Sequence, residues 1–326
     1  MDFSGFAELP VIDSHIHFVH PERLDEMLAL LAETRSIRAN LVCIPNPDAT
    51  THNPAALYFK ERYPDKVYIS GALDYTPVLV SPSQAPGLLA GQIAALKTCG
   101  FDGLKLIEGK PQVRKLLPYP LDGPLYAPMW AVVEEEQFPV VFHVTDPDEF
   151  WDPERCPDWA RQNGWDYTDG SFPSKEGLYT EVDNILARHP CLKLILAHFY
   201  FLSSDLERAA RFLDAHPTVC FDLAPHMDMY RDFSRNPDAA RRFFLRFQDR
   251  IIYGTDIDTR ALERGAQNFM RFIPWLIRSM LERDGAFTTS DGAAYHGLGL
   301  SVEVLEKIYR KNFERVYGSQ PAVLKG

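Results

Sequence analysis

Two kinds of apolar pattern take turns along the chain. Short runs of β-branched and aromatic residues give way to longer stretches whose apolar positions recur at helical spacing, and the alternation continues from end to end. Eight runs read as strands: VIDSHIHF (11–18), ANLVCIPN (39–46), VYISGALDY (67–75), FDGLKLI (101–107), FPVVFHV (138–144), LKLILAHF (192–199), VCFDLAP (219–225) and RIIYGTD (250–256). Between them, PERLDEMLALLAETR opens with Pro and acidic residues as a helix N-terminus does. SSDLERAARFLDAHP begins on a Ser cap, and NPDAARRFFLRFQD has the same grammar. Eight such βα units predict an α/β fold, a (β/α)8 TIM barrel, with an open doubly wound sheet as the rival arrangement.

Most strand starts lie roughly 30 residues apart, but the fifth and sixth begin at 138 and 192. The surplus, TDPDEFWDPERCPDWARQNGWDYTDGSFPSKEGLYTE, is dense in Trp, Tyr, Asp and Pro. It follows the C-terminal end of the fifth strand, the end at which barrels build active sites. It predicts a lid insertion over about 145–180. A second irregular stretch, ERDGAFTTSDGAAYHGLGL (282–300), precedes a C-terminal helical extension, SVEVLEKIYRKNFERVYG. With no linker and no second core in the pattern, residues 1–326 are expected to form one domain.

Composition narrows the partners. A hydrophobic fraction of 46% supports a large core, yet no apolar run reaches the roughly 18 residues of a membrane span. The start, MDFSGFAELP, lacks the basic region of a signal peptide. Asp and Glu outnumber Lys and Arg by 45 to 34, which argues against a nucleic-acid partner and leaves no polybasic membrane patch. Five widely spaced cysteines without a CxxC predict free thiols and a cytoplasmic location. GxSxG, P-loop, HExxH and GxGxxG motifs are all missing, so serine-hydrolase, NTPase, zincin and dinucleotide readings lose support. A small-molecule substrate remains.

The histidines carry the chemistry. His15 and His17 are two apart in the first strand and share a face with Asp13, while Ile12 and Ile16 take the other. Turning these polar groups into a barrel is costly unless they have partners. The fifth strand ends in His143, the sixth in His198 and the eighth in Asp256, so a barrel would bring all of them to one rim. Imidazoles plus a carboxylate, with a position left open for water, suit a borderline divalent cation such as zinc.

HxH on the first strand, His on the fifth and sixth, and GTD on the eighth resemble the amidohydrolase superfamily of metal-dependent barrel enzymes. IDSHIHF, GFDGLKLI, ILAHF, IIYGTD and LEKIYRKNFERVYG are most similar to its amidohydrolase 2 branch. The resemblance implies that His15, His17 and His143 ligate the metal. It makes Asp256 a further ligand or the acceptor of a proton from water. His198 is either a ligand of a second metal or stands beside a single one, polarising water or substrate. Lys105 decides the count. Carboxylated, it would bridge two metals; as a free ammonium it would hold an anionic substrate; otherwise it pairs with a carboxylate such as Asp222. One zinc ion is the expectation, two the alternative.

His226 lies in a rim loop and is expected to touch substrate. Arg260 would meet a substrate carboxylate or close a rim salt bridge, and His296 is a weaker candidate. His20, His52, His189 and His216 read as surface or loop residues. The expected reaction is hydrolysis of an amide, ester or lactone in a small anionic or aromatic substrate, by water whose pKa a metal lowers to about 7. The rivals are non-oxidative decarboxylation of an aromatic or dienoic acid on the same scaffold and a catalytically silent binding protein. A homodimer is the assembly the resemblance suggests.

Overall fold

The computed structural model describes residues 1–45, 51–226, 228–263 and 265–324. Its main sheet contains nine parallel strands: β1 (Val11–His17), β2 (Ser36–Val42), β3 (Val67–Gly71), β4 (Gly103–Gly109), β5 (Val140–Val144), β6 (Leu194–Leu196), β7 (Cys220–Asp222), β8 (Ile251–Ile252) and β9 (Ile257–Asp258). Neighbours run in sequence order from β8 down to β1, and β9 lies on the far side of β1. The residues joining β8 to β9 close the ring. Ser14 N donates to Tyr253 O at 3.0 Å, and Asp256 N donates to His15 O at 2.8 Å. All eight predicted runs enter this barrel, and helices separate them as βα units require.

The strands β6, β7 and β8 are shorter than their apolar runs, because the last residues of each run leave the sheet to build the rim. The first strand also departs from simple alternation. Its pairing with β2 shifts between Asp13 and Ile16. Ile16 joins the outer core beneath the helices as expected, but Ile12 turns into the barrel with Tyr68, Val141, Ile195, Cys220 and Ile252. A register shift moves side chains between faces, so the face predicted for Ile12 was wrong.

The closing helix fills this inner layer from the N-terminal end of the barrel. Its α-helical turns at Val302–Glu306 and Asn312–Tyr317 are joined by a π-helical turn at Lys307–Lys311. Phe313 is fully buried in the inner cluster, with its ring 5.0 Å from that of Tyr68. Asn312 Nδ2 donates to Ile251 O at 2.7 Å, satisfying a carbonyl at the end of β8.

Three other expectations change. The helix Leu206–Ala215 is capped by Asp205, which accepts from Arg208 N at 2.9 Å, and not by serine. Within 282–300, two strands, β10 (Asp284–Thr288) and β11 (Ala294–Leu298), pair as an antiparallel hairpin; alternation too weak to read as strands conceals it. His52 is buried at the start of the helix Asn53–Arg62 rather than exposed.

The segment after β5 carries short helical turns at Asp148–Trp151 and Asp158–Gln162 and a small core of its own, Phe150, Cys156, Ala160 and Tyr167. It ends at Ser174, the N-cap of the helix Lys175–Arg188. All five cysteines are free. No helix among the described residues is long and apolar enough to cross a membrane.

Candidate metal centre

Eight of the residues singled out from the sequence, His15, His17, Lys105, His143, His198, His226, Asp256 and Arg260, line one cavity of about 370 Å³ at the C-terminal end of the strands. A larger cavity, about 630 Å³, lies between the N-terminal segment and the hairpin and includes none of them.

The tightest cluster is His15, His17 and Asp256, whose donor atoms lie within 4.8 Å of one another. Asp256 Oδ1 is 3.4 Å from His15 Nε2 and 3.2 Å from His17 Nε2. The GTD motif reaches β1 because of its glycine: a β-carbon on Gly254 would lie 2.8 Å from Ser14 Oγ and 3.2 Å from His15 Cβ. Asp13 secures the same junction, accepting from Thr255 Oγ1 at 2.6 Å and Thr255 N at 3.0 Å.

Hydrogen-bond partners assign the protons. Asp222 Oδ2 sits 2.8 Å from His15 Nδ1. Because a carboxylate accepts, His15 donates from Nδ1 and carries its lone pair on Nε2, toward Asp256. His143 Nε2 lies 3.0 Å from Thr145 O, and His198 Nδ1 lies 3.2 Å from Ala224 O. Each of these nitrogens must donate to its carbonyl, which leaves lone pairs on His143 Nδ1 and His198 Nε2. Those two atoms face each other at 3.1 Å.

Lone pairs do not bond to lone pairs, so a proton or a metal cation must serve them. Burial disfavours the proton: it lowers the pKa of His143 and pushes those of His15 and His198 well below the ordinary imidazole value. His17 Nδ1 is also buried without a hydrogen-bond partner among the described residues. The imidazoles of His15, His143 and His198, kept neutral by burial and lying with their lone pairs near the Asp256 carboxylate, fit a divalent cation. His143, expected among the ligands, stands with its Nδ1 on His198 rather than inside the cluster of three.

Lys105 projects from β4 with Nζ 3.1 Å from His15 Nε2. Burial lowers its pKa to about 8 against the pull of Asp256, Asp222 and Glu108. The pairing with Asp222 weighed from the sequence is not the contact made: the oxygens of Asp222 go to His15 and to the backbone N–H groups of His198 and Ala224. Arg260 at the rim is bound by Asp258, with Nε donating to Oδ2 at 2.7 Å. His296 lies on β11, with Nδ1 3.0 Å from Gly297 O, and does not line the cavity.

Sequence reasoning missed Lys110 and Asp146. Lys110 Nζ donates to both oxygens of Asp146, at 2.6 and 2.8 Å, and Asp146 Oδ1 is 3.3 Å from His143 Nε2. Tyr167 of the insertion donates to Asp146 Oδ2 at 2.6 Å, fastening that segment to the rim. Phe150, Trp159 and Trp165 of the insertion, with Ile44, Ile107 and Phe201, form the apolar wall. The only advance signal was the DPD that follows His143 and the aromatic density beyond it.

The backbone at this rim is strained. Thr145, Asp256 and four consecutive residues, His198 to Phe201, have φ between 52° and 67°. Such left-handed conformations cost a non-glycine residue roughly 1–2 kcal/mol each and concentrate at functional sites.

Comparison with known proteins bears on the fold and the family. Among curated proteins, none matches the chain in sequence. A putative amidohydrolase from Staphylococcus aureus has a similar fold (TM-score 0.60, 16% identity, covering 95% of this chain and 100% of that one). So has 2,6-dihydroxybenzoate decarboxylase complexed with 2,6-dihydroxybenzoate (TM-score 0.57, 15% identity, covering 95% and 99%). An amidohydrolase from Burkholderia multivorans with bound zinc is a third (TM-score 0.53, 17% identity, covering 96% and 100%). At these identities the structures speak for the TIM-barrel fold alone. A model of the amidohydrolase family, however, matches residues 12–319, so the chain belongs to that family of metal-dependent enzymes.

Proposed function

We propose that the protein is a metal-dependent hydrolase that cleaves an amide, ester or lactone bond in a small anionic or aromatic molecule. His15, His17 and Asp256 would hold one divalent cation, zinc in the first instance, and His143 would complete the set. The observation that carries this reading is the pair of buried imidazole lone pairs on His143 Nδ1 and His198 Nε2, which face each other beside the cluster of His15, His17 and Asp256. When bound, the cation supplies a Lewis acid that brings the pKa of water near 7.

The remaining steps belong to the chain's own residues. Asp256, at the mouth of the cluster, accepts the proton released by the nucleophile and returns it to the leaving atom. His198, with its lone pair on Nε2, accepts a hydrogen bond and steers the attacking O–H. In this tautomer it does not act as the oxyanion donor. Lys105, the ammonium donor closest to the cluster, covers the negative charge that develops on the substrate. Phe150, Trp159 and Trp165 give the substrate an apolar wall, and the insertion that carries them serves as a lid that excludes water.

A second reading, non-oxidative decarboxylation of an aromatic acid, is favoured by the buried Lys105 beside that aromatic wall and by the likeness in fold to 2,6-dihydroxybenzoate decarboxylase. One assay separates the two. Zinc-loaded protein is given phenyl esters, aryl lactones, anilides and hydroxybenzoates, and products are followed by chromatography and CO₂ release. Acid plus alcohol or amine supports hydrolysis, whereas CO₂ without a hydrolytic product replaces it with decarboxylation. A protein that binds no divalent metal refutes both.

A further inference from the structure

Beside the catalytic pocket lies a smaller cavity of about 230 Å³, and the two share Pro147, Phe201 and His226 in their walls. Ser203 and Asp232 line only the smaller one. Together with His226 they form a chain of hydrogen bonds that has a direction. Ser203 Oγ lies 2.6 Å from Asp232 Oδ2, and the carboxylate accepts, so serine is the donor. Arg235, paired with the other oxygen of Asp232, favours the carboxylate form.

With its single O–H committed to Asp232, Ser203 Oγ can only accept from His226 Nε2, 3.1 Å away. His226 therefore carries its proton on Nε2 and a lone pair on Nδ1. Nδ1 is buried and has no hydrogen-bond partner among the described residues. The ring also packs against Phe201, with centroids 5.0 Å apart, which restrains its rotation. His226, a wall residue of both cavities, thus carries on Nδ1 an acceptor whose tautomer is set from the smaller one.

We infer that Asp232, acting through Ser203, fixes His226 as a hydrogen-bond acceptor that selects substrates carrying a hydroxyl or N–H group. This rests on the reading above, that the pocket takes a small aromatic or anionic molecule. His226 is then a specificity residue, and Ser203 and Asp232 are positioning residues. A substrate with a donor at this point satisfies Nδ1. A substrate without one excludes water and leaves the acceptor unpaired, which is how a site built for a hydrogen bond rejects the analogue that lacks it. A carboxylate at the same point would meet the lone pair and be disfavoured.

The test has two arms on the zinc-loaded full chain. In the first, ¹⁵N-histidine NMR reads the tautomer, with the His226 signal assigned by its loss in His226→Gln. Protonation at Nε2 is expected in the wild type, a mixture in Ser203→Ala, and recovery in Ser203→Thr. In the second, benzoate and its three monohydroxy isomers are titrated by tryptophan fluorescence. At least one isomer should bind about tenfold tighter than benzoate, as one added hydrogen bond permits. That preference should vanish in Ser203→Ala while benzoate affinity holds. Protonation of wild-type His226 at Nδ1, or a preference that survives Ser203→Ala, overturns the inference. If none of the four acids binds, the aromatic-acid substrate class falls, and the tautomer measurement alone decides the assignment to His226.

Discussion

Asp222→Asn should cost metal affinity with little change in the shape of the protein. Asp222 is fully buried and makes three hydrogen bonds: Oδ2 with His15 Nδ1 at 2.8 Å, and Oδ1 with His198 N at 2.7 Å and Ala224 N at 3.1 Å. Asparagine has the same size and can keep Oδ1 on the two backbone donors. Its amide then faces His15 Nδ1, donor against donor. The clash is relieved when His15 moves its proton to Nε2, which removes the lone pair that points to Asp256. Loss of such a carboxylate behind a ligating histidine lowers metal affinity about 10- to 100-fold, or about 1.4–2.8 kcal/mol. Zinc competition against a chromophoric chelator, on metal-stripped protein, measures this directly. Zinc binding by a folded Asp222→Asn within about twofold of wild type would refute the proton assignment at His15.

Three further outcomes follow from the same contacts. Tyr167→Phe removes the 2.6 Å bond to Asp146 and should cost about 1.5–3 kcal/mol locally, read as faster proteolysis within residues 148–170 and a raised KM; unchanged cleavage would remove the fastening role. Phe313→Ala opens the inner layer of the barrel and should lower global stability by about 3–5 kcal/mol in urea denaturation, against which a loss below 1 kcal/mol would count. Burial, with Lys175 nearby, lowers the pKa of His226 from 6.5 to about 3, so below pH 6.5 the unfolded chain binds a proton that the folded chain does not. Stability should therefore fall as pH drops from 6.5 toward 3, with His226→Gln flattening the slope by up to about 1.4 kcal/mol per pH unit; identical slopes would refute the shift.

The barrel was legible because its signal is periodic and repeated. Eight apolar runs alternating with helical stretches left only an open doubly wound sheet as a rival, and in a barrel residues at the ends of those runs must meet at one rim. The choice of His15, His17, His143, His198 and Asp256 needed only strand phase. What stayed hidden depends on partners distant in sequence. Asp222 stands out in the sequence only as a possible partner of Lys105, and its actual partner His15 lies 207 positions away. Ser203 and Asp232 matter only through His226, across a bond the sequence does not announce. The inward turn of Ile12 comes from a register shift that alternation cannot express, and the direction taken by His143 is set by a carbonyl two residues on.

The strained rim and the proton assignments have one residue in common. Six left-handed residues at the ends of β5, β6 and β8 together store roughly 6–12 kcal/mol, comparable with the whole stability of a typical domain. Specific contacts must offset that cost where it arises. The turn at His198–Phe201 is held from below by Phe199, whose ring lies within 5.0–5.3 Å of those of Phe221, Phe233 and Phe243. It is held from the side by Tyr179, which donates to Tyr200 O at 2.9 Å. At its start, Asp222 Oδ1 accepts from His198 N. The oxygen that anchors the turn and the oxygen that sets the proton on His15 thus belong to one carboxylate, so the position of His198 and the lone pair of His15 are determined together. Asp222→Asn and Asp222→Ala should separate these two duties. Asparagine keeps the anchor and loses the tautomer, so only metal binding suffers. Alanine strands both backbone N–H groups, about 1–3 kcal/mol each, and should also unfold more readily in urea. Equal stability in the two variants would mean that the turn is held by its aromatic packing alone.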